Sequence, residues 1–243
     1  MNDISLDWDI HQKILVILAH PDDPEFFCGA TLARWAHSGH EIHYLLLTCG
    51  EKGGSFDITP TELCATRNLE QQNAARIIGV SSITFLNHPD GYLVPSLEIR
   101  REIVRVIRQQ KPDVVVTCDP SFLFPSTGYG INHPDHRAAG QVVLDSIFPA
   151  AGNVHYFPEL LHDEGLSPFS PREVWISLTG NPNVTIDVTN LFEMKIKALL
   201  EHRSQVGDSE KFQNRMRSRH TDDSTDEFPR YEEKFHVIKF RTK

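Results

Sequence analysis

Residues 14–23 read ILVILAHPDD, six apolar residues that run straight into a histidine, a proline and two aspartates. So short a run, rich in β-branched residues and leucine, reads as a strand buried on both faces, as in a parallel sheet. The polar residues then stand at the carboxyl end of that strand, where ligands bind in open α/β sheets. Residues 42–48 (IHYLLLT), 83–86 and 114–117 (VVVT) are also short, apolar and bounded by Gly, Pro, Asp or Asn, which marks further buried strands. Between them, residues 28–37, 61–78 and 97–109 carry apolar residues at helical spacing, such as Leu97, Val104 and Ile107 opposite Arg and Glu. Gly39 and Gly79 follow two of these as helix stops. The alternation predicts an α/β fold, a Rossmann-like three-layer sandwich with a mostly parallel sheet and helices on both faces.

The second half is less regular. Residues 136–147 and 191–204 read as helices, and 154–157, 174–178 and 184–188 as strands. The polar stretch 207–230 reads as a surface excursion, and 235–240 as an edge strand. With 243 residues, 40% of them hydrophobic, and no repeat or linker, residues 1–243 are expected to form one domain.

A formal charge of -9 with scattered Lys and Arg argues against nucleic acid as a partner, since phosphate binding needs clustered cations. The first apolar run stops at His20, too early for a signal peptide, and nothing approaches the roughly 20 apolar residues of a membrane span. The four cysteines, Cys28, Cys49, Cys64 and Cys118, form no C-x-x-C pair and read as reduced, partly buried thiols, which suits a cytoplasmic protein.

The loop after the first strand lacks the glycine fingerprint of a dinucleotide site, and residues 50–55 (GEKGGS) lack the phosphate-loop spacing. His20 and a carboxylate three residues on can instead converge on a divalent cation, with the neighbouring carboxylate facing its water. An Asp helix cap with an incidental histidine is the alternative reading of this turn alone. A second motif, Asn132-His133-Pro134-Asp135-His136-Arg137, follows another buried run. Its two histidines, three apart at a helix start, can bring a third ligand and a further polar group to the same cleft. Two nitrogens, a carboxylate and an open position make a catalytic zinc pattern.

"AHPDD" after the first strand, paired with "HPDH" before a mid-chain helix, resembles the PIG-L/LmbE-like family of zinc-dependent N-acetylglucosaminyl deacetylases. "YLLLTCGEKGG", "TELCATRNLEQQNAARIIGV", "FLNHPDG", "KPDVVVT" and "HRSQ" add to the likeness, which spans nearly the whole chain. The resemblance implies an LmbE-like fold and zinc at His20, Asp23 and His136. It makes Asp22 the general base, His133 the group that polarises the carbonyl and stabilises the oxyanion in protonated form, and Asp135 its orienting partner. Glu51 and Arg67 fall where the family contacts substrate. Tyr129, in the Pro-, Gly- and aromatic-rich loop 120–131, is a further substrate-binding candidate. Two departures stand out: Pro24 precedes Glu25, and Ala30 replaces the second glycine of a Gly-Gly-Thr.

The expected reaction is hydrolysis of the N-acetyl group of an N-acetylglucosamine-type sugar or glycoconjugate. A metal-dependent amidohydrolase on a non-sugar amide, or a zinc-containing binding module without turnover, are the alternatives. The donor set also suits Fe2+ or another divalent ion. A soluble amino-sugar substrate is expected rather than a membrane-bound one. Residues 158–171 (PELLHDEGLSPFSP) suggest an oligomer contact, in keeping with a family that is often homo-oligomeric.

Overall fold

The computed structural model describes residues 8–125, 130–225 and 227–240. Strand β1 (Lys13–Leu18) is the axis of the sheet, and from Ile14 onward it has no exposed surface. It pairs in parallel with β2 (Glu41–Thr48) on one side and β4 (Val114–Cys118) on the other. Beyond β2 lies β3 (Ser82–His88), and beyond β4 lies β5 (Glu173–Ser177), both parallel to their neighbours. The chain then reverses. β7 (Glu232–Lys239) runs antiparallel to β5 and carries β6 (Val184–Asp187) antiparallel on its far side, giving the order β3-β2-β1-β4-β5-β7-β6.

The strand order turns back between β1 and β4, so that pair frames the crevice. The helices pack in two pairs, α1 (Asp23–His37) with α2 (Pro60–Ile78) and α3 (Leu97–Gln110) with α4 (Pro134–Asp145), as right-handed crossovers to either face of the sheet require. α1 and α2 pack with α6 (Phe192–Leu199), while α3 and α4 pack with the turn 146–151. α2 begins with a capping box, in which the Thr59 side chain accepts from the Glu62 N–H and Glu62 accepts from the Thr59 N–H.

Several expectations need correction. Residues 154–157 form no strand but lead into the short helix α5 (Pro158–His162). Residues 191–204 break into α6 and α7 (Arg203–Val206). The polar stretch contains α8 (Ser209–Arg217), which docks through buried Phe212 and Met216, four residues apart on one face. β7 is an interior strand, and β3 and β6 are the edges. Its alternation, with Glu233, Phe235 and Val237 buried between half-buried or exposed residues, fits either position, because that pattern reports faces and not neighbours. Cys49 and Cys64 are joined in a disulfide, so only Cys28 and Cys118 are buried free thiols.

α1 is broken at Cys28, whose φ of -150° leaves the helical region. The freed N–H groups of Ala30 and Thr31 donate to Glu233 Oε1 (3.2 Å) and Oε2 (2.7 Å), and Lys195 Nζ on α6 lies 2.6 Å from the same carboxylate. The break therefore acts as a second helix start, capped from β7.

Arg108, almost wholly buried in the last turn of α3, ties together the irregular stretch that follows α4. Its guanidinium donates to the carbonyls of Ala150 (3.2 Å), Ala151 (3.1 Å), Asn153 (3.0 Å), Tyr156 (2.9 Å) and Phe157 (3.4 Å). Arg108→Met keeps the stem and removes all five bonds. We expect it to lower unfolding free energy by about 2–5 kcal/mol in urea titrations.

Candidate active site

His20, Pro21 and Asp22 form the turn between β1 and α1, and Asp23 opens the helix. Asp23 Oδ2 accepts from the main-chain N–H of His20 (2.8 Å), which folds the carboxylate back toward the strand end. The same oxygen lies 3.4 Å from His20 Nδ1, and Asp23 Oδ1 lies 3.0 Å from His136 Nε2. The two H-P-D segments, 113 residues apart between His20 and His133 in sequence, thus meet at one carboxylate. Burial works against a charge on Asp23, but His136 and His20 outweigh it and hold its pKa well below the usual carboxylate range.

The outer nitrogens of both imidazoles are also held. His136 Nδ1 lies 2.9 Å from Asn132 Oδ1. His20 Nε2 lies 3.1 Å from Asp90 Oδ1 and 3.3 Å from Asp135 Oδ2. Burial disfavours a charged His20, yet Asp23, Asp135 and Asp90 together raise its pKa well above the ordinary value. Imidazoles fixed by oxygen acceptors on one nitrogen and turned toward a shared carboxylate with the other have the arrangement of metal ligands. His20, His133 and His136, and separately His20, Asp90 and Asp135, offer ligand atoms within 4.8 Å of one another. The donor set fits a divalent cation.

His133 is the N-cap of α4, and its Nδ1 accepts from the Asp135 N–H at 3.2 Å. An accepting nitrogen carries no proton, so the ring is neutral with its hydrogen on Nε2. Burial, followed by the nearby His20 and His136, lowers its pKa in the same sense. Asp135 meets His133 through its main chain only. Its fully buried carboxylate accepts from Gly91 N–H (2.7 Å) and Leu93 N–H (3.2 Å) and faces His20.

Asp22 stands apart from the cluster. Among the described residues its side chain, 14% exposed, has hydrogen-bond contact with Arg67 alone, whose Nη2 is 3.3 Å from Oδ2. Burial pushes its carboxyl up to about 6, against the pull of Arg67. Arg67 is buried and also donates to the carbonyls of Gly50 (2.9 Å) and Pro21 (2.6 Å). Glu51 accepts the Asp90 N–H at 2.9 Å. Both are built into the walls of the site and are not loose surface charges. Tyr129 lies outside the described residues.

Sequence reasoning missed Asp90 as a site residue. It closes a third His-Pro-Asp, residues 88–90, at the end of β3. That repeat, read with the topology, was the available signal. Interaction with His20 and the Lys52 N–H brings its pKa down to about 2 despite burial.

The fold and the cluster together define a class: a Rossmann-like α/β protein with a candidate histidine–aspartate metal site where strand order reverses. The chain belongs to the GlcNAc-PI de-N-acetylase (PIG-L) family, which residues 15–147 match. It is 35% identical over 195 residues to a diacetylchitobiose deacetylase of Thermococcus kodakarensis, covering 80% of this chain and 70% of that one. Identity is 25% over 201 residues to a probable N-acetyl-alpha-D-glucosaminyl L-malate deacetylase 2 of Bacillus anthracis, covering 80% and 81%. The solved N,N'-diacetylchitobiose deacetylase of Pyrococcus horikoshii, bound to an inhibitor, superposes with a TM-score of 0.86 at 31% identity, over 98% of this chain and 88% of that one. Among the described residues no helix is long and apolar enough to cross a membrane.

Proposed function

We propose that this protein is a metal-dependent N-deacetylase of an N-acetylglucosamine-type sugar or glycoconjugate, releasing acetate and a free amine. The observation that carries the reading is the division of labour between adjacent carboxylates. Asp23 is committed to two imidazoles, whereas Asp22 is free of them, reachable from solvent and raised to about 6. A base near neutral pKa beside a metal site is what hydrolysis needs, and a site that only binds needs none. The names of the similar deacetylases support the substrate class.

When bound by His20, Asp23 and His136, a divalent ion, which we assign as zinc, supplies a Lewis acid that polarises the amide carbonyl and acidifies the attacking water. Asp22 takes the proton from that water as its oxygen bonds to the carbonyl carbon. His133 donates its Nε2–H to the oxygen on which charge grows. Asp22 then returns its proton to the amine nitrogen as the C–N bond breaks. Arg67 and Glu51 contribute through the backbone they hold, Arg67 by gripping the turn that carries Asp22 and Glu51 by fixing Asp90.

With N-acetylglucosamine and simple glucosaminides, metal-loaded protein should release acetate. Asp22→Asn at equal metal content should lose about 10²–10⁴-fold in rate. A metal-loaded protein inert toward every acetamido sugar would transfer the assignment to another amide. Asn132→Ala removes the oxygen that orients His136, and we expect metal affinity to fall about 10- to 100-fold in competition with a chromogenic chelator.

A further inference from the structure

Asp22 has φ 86° and ψ -29°, a left-handed conformation that few residues other than glycine adopt. It is the N-cap of α1, yet its side chain makes no capping bond. The carboxyl is therefore withheld from the task an N-cap aspartate ordinarily performs. Such backbone persists only where the surroundings impose it.

They do so by holding both polar ends of one peptide unit. The Pro21 carbonyl accepts from Arg67 Nη2 at 2.6 Å, and the Asp22 N–H donates to Gln71 Oε1 at 2.8 Å. Arg67 and Gln71 are four residues apart on α2 and so lie on one face of the helix. Gln71 has no exposed surface, and the orientation of its amide is forced. Its Nε2 donates to both oxygens of Glu25, 3.0 Å from each. Glu25, also wholly buried, takes a further bond from Tyr44 Oη (3.2 Å) and lies 3.2 Å from His202 Nε2. A carboxylate that only accepts compels Gln71 to turn its NH2 inward and its oxygen toward Asp22.

We infer that Gln71, oriented by Glu25, is a positioning residue that holds the Asp22 backbone left-handed and so aims its carboxyl at the reacting water. This rests on the assignment of Asp22 as the base. None of the proposed metal ligands touches Gln71 among the bonds described, so its effect should fall on turnover and not on metal content.

The test uses Gln71→Met, which keeps the length and loses the bonds at both ends of the amide, and Gln71→Glu with and without Glu25→Gln. We expect Gln71→Met to bind metal normally, to keep KM and to lose about 10- to 100-fold in kcat, the scale of a misplaced catalytic group. In ¹⁵N-labelled protein the Asp22 amide should exchange faster with solvent. Gln71→Glu alone sets two carboxylates together and should be the more impaired. The double variant restores one donor between two acceptors, presents an oxygen to Asp22 and should regain most of kcat. A folded Gln71→Met protein with wild-type kcat and unchanged Asp22 exchange would overturn the inference, as would a double variant no better than Gln71→Glu. Asp22→Asn separates the two ideas. If it is inactive while Gln71→Met is normal, only the positioning role fails, and if it retains full turnover the base assignment itself fails.

Discussion

Charge at the carboxyl end of β1 lies beneath the surface, and a buried charge is tolerated only where another group answers it. Asp23 is answered by His20 and His136, and His20 in turn by Asp90 and Asp135. Apart from the local pair of His20 and Asp23, these answers come from the end of β3 and the start of α4, so β1, β2, β3 and β4 must be in register before they can form. The requirement runs in both directions. The sheet brings the groups together, and the groups fix the loops that leave it, since Asp135 holds the Gly91 and Leu93 N–H groups and Asp90 holds that of Lys52.

This explains which parts were legible in the sequence. Runs 14–19, 42–48 and 114–117 are apolar because both sheet faces are covered, and such runs announce themselves. The first H-P-D motif was legible for a related reason, since polar residues directly after a buried strand have only one place to be, and the second, which follows β4 after a longer loop, was legible as its repeat. Residues 154–157 looked like a strand, but the carbonyls of Tyr156 and Phe157 are taken by the Arg108 guanidinium and not by a neighbouring strand. α8 was hidden because its apolar residues, Phe212 and Met216, are few and its flanks polar.

The site was legible where its chemistry is local and opaque where it depends on distant partners. His20, Asp22 and Asp23 stand together in sequence. Gln71, Glu25 and His202 are scattered over 177 residues and match no short motif, although "HRSQ" belonged to the family resemblance. Asp135 could be read only as a partner of His133, whereas its carboxylate and its main chain serve different histidines, a distinction that only coordinates draw. The pairing of Cys49 with Cys64 follows from the approach of the loop after β2 to α2, which the spacing of the two residues does not encode.

The position of β7 has a consequence for how the chain comes to be folded. Synthesis proceeds from the amino end, and β1 to β5 can pair as they emerge. β6 cannot, because its only neighbour in the sheet is β7, which follows it by some 45 residues. Until then β5 presents an unpaired edge, the kind of template on which nascent chains associate with one another. The break in α1 waits for the same moment, because Glu233 supplies its cap. An element translated early is thus finished by one translated late.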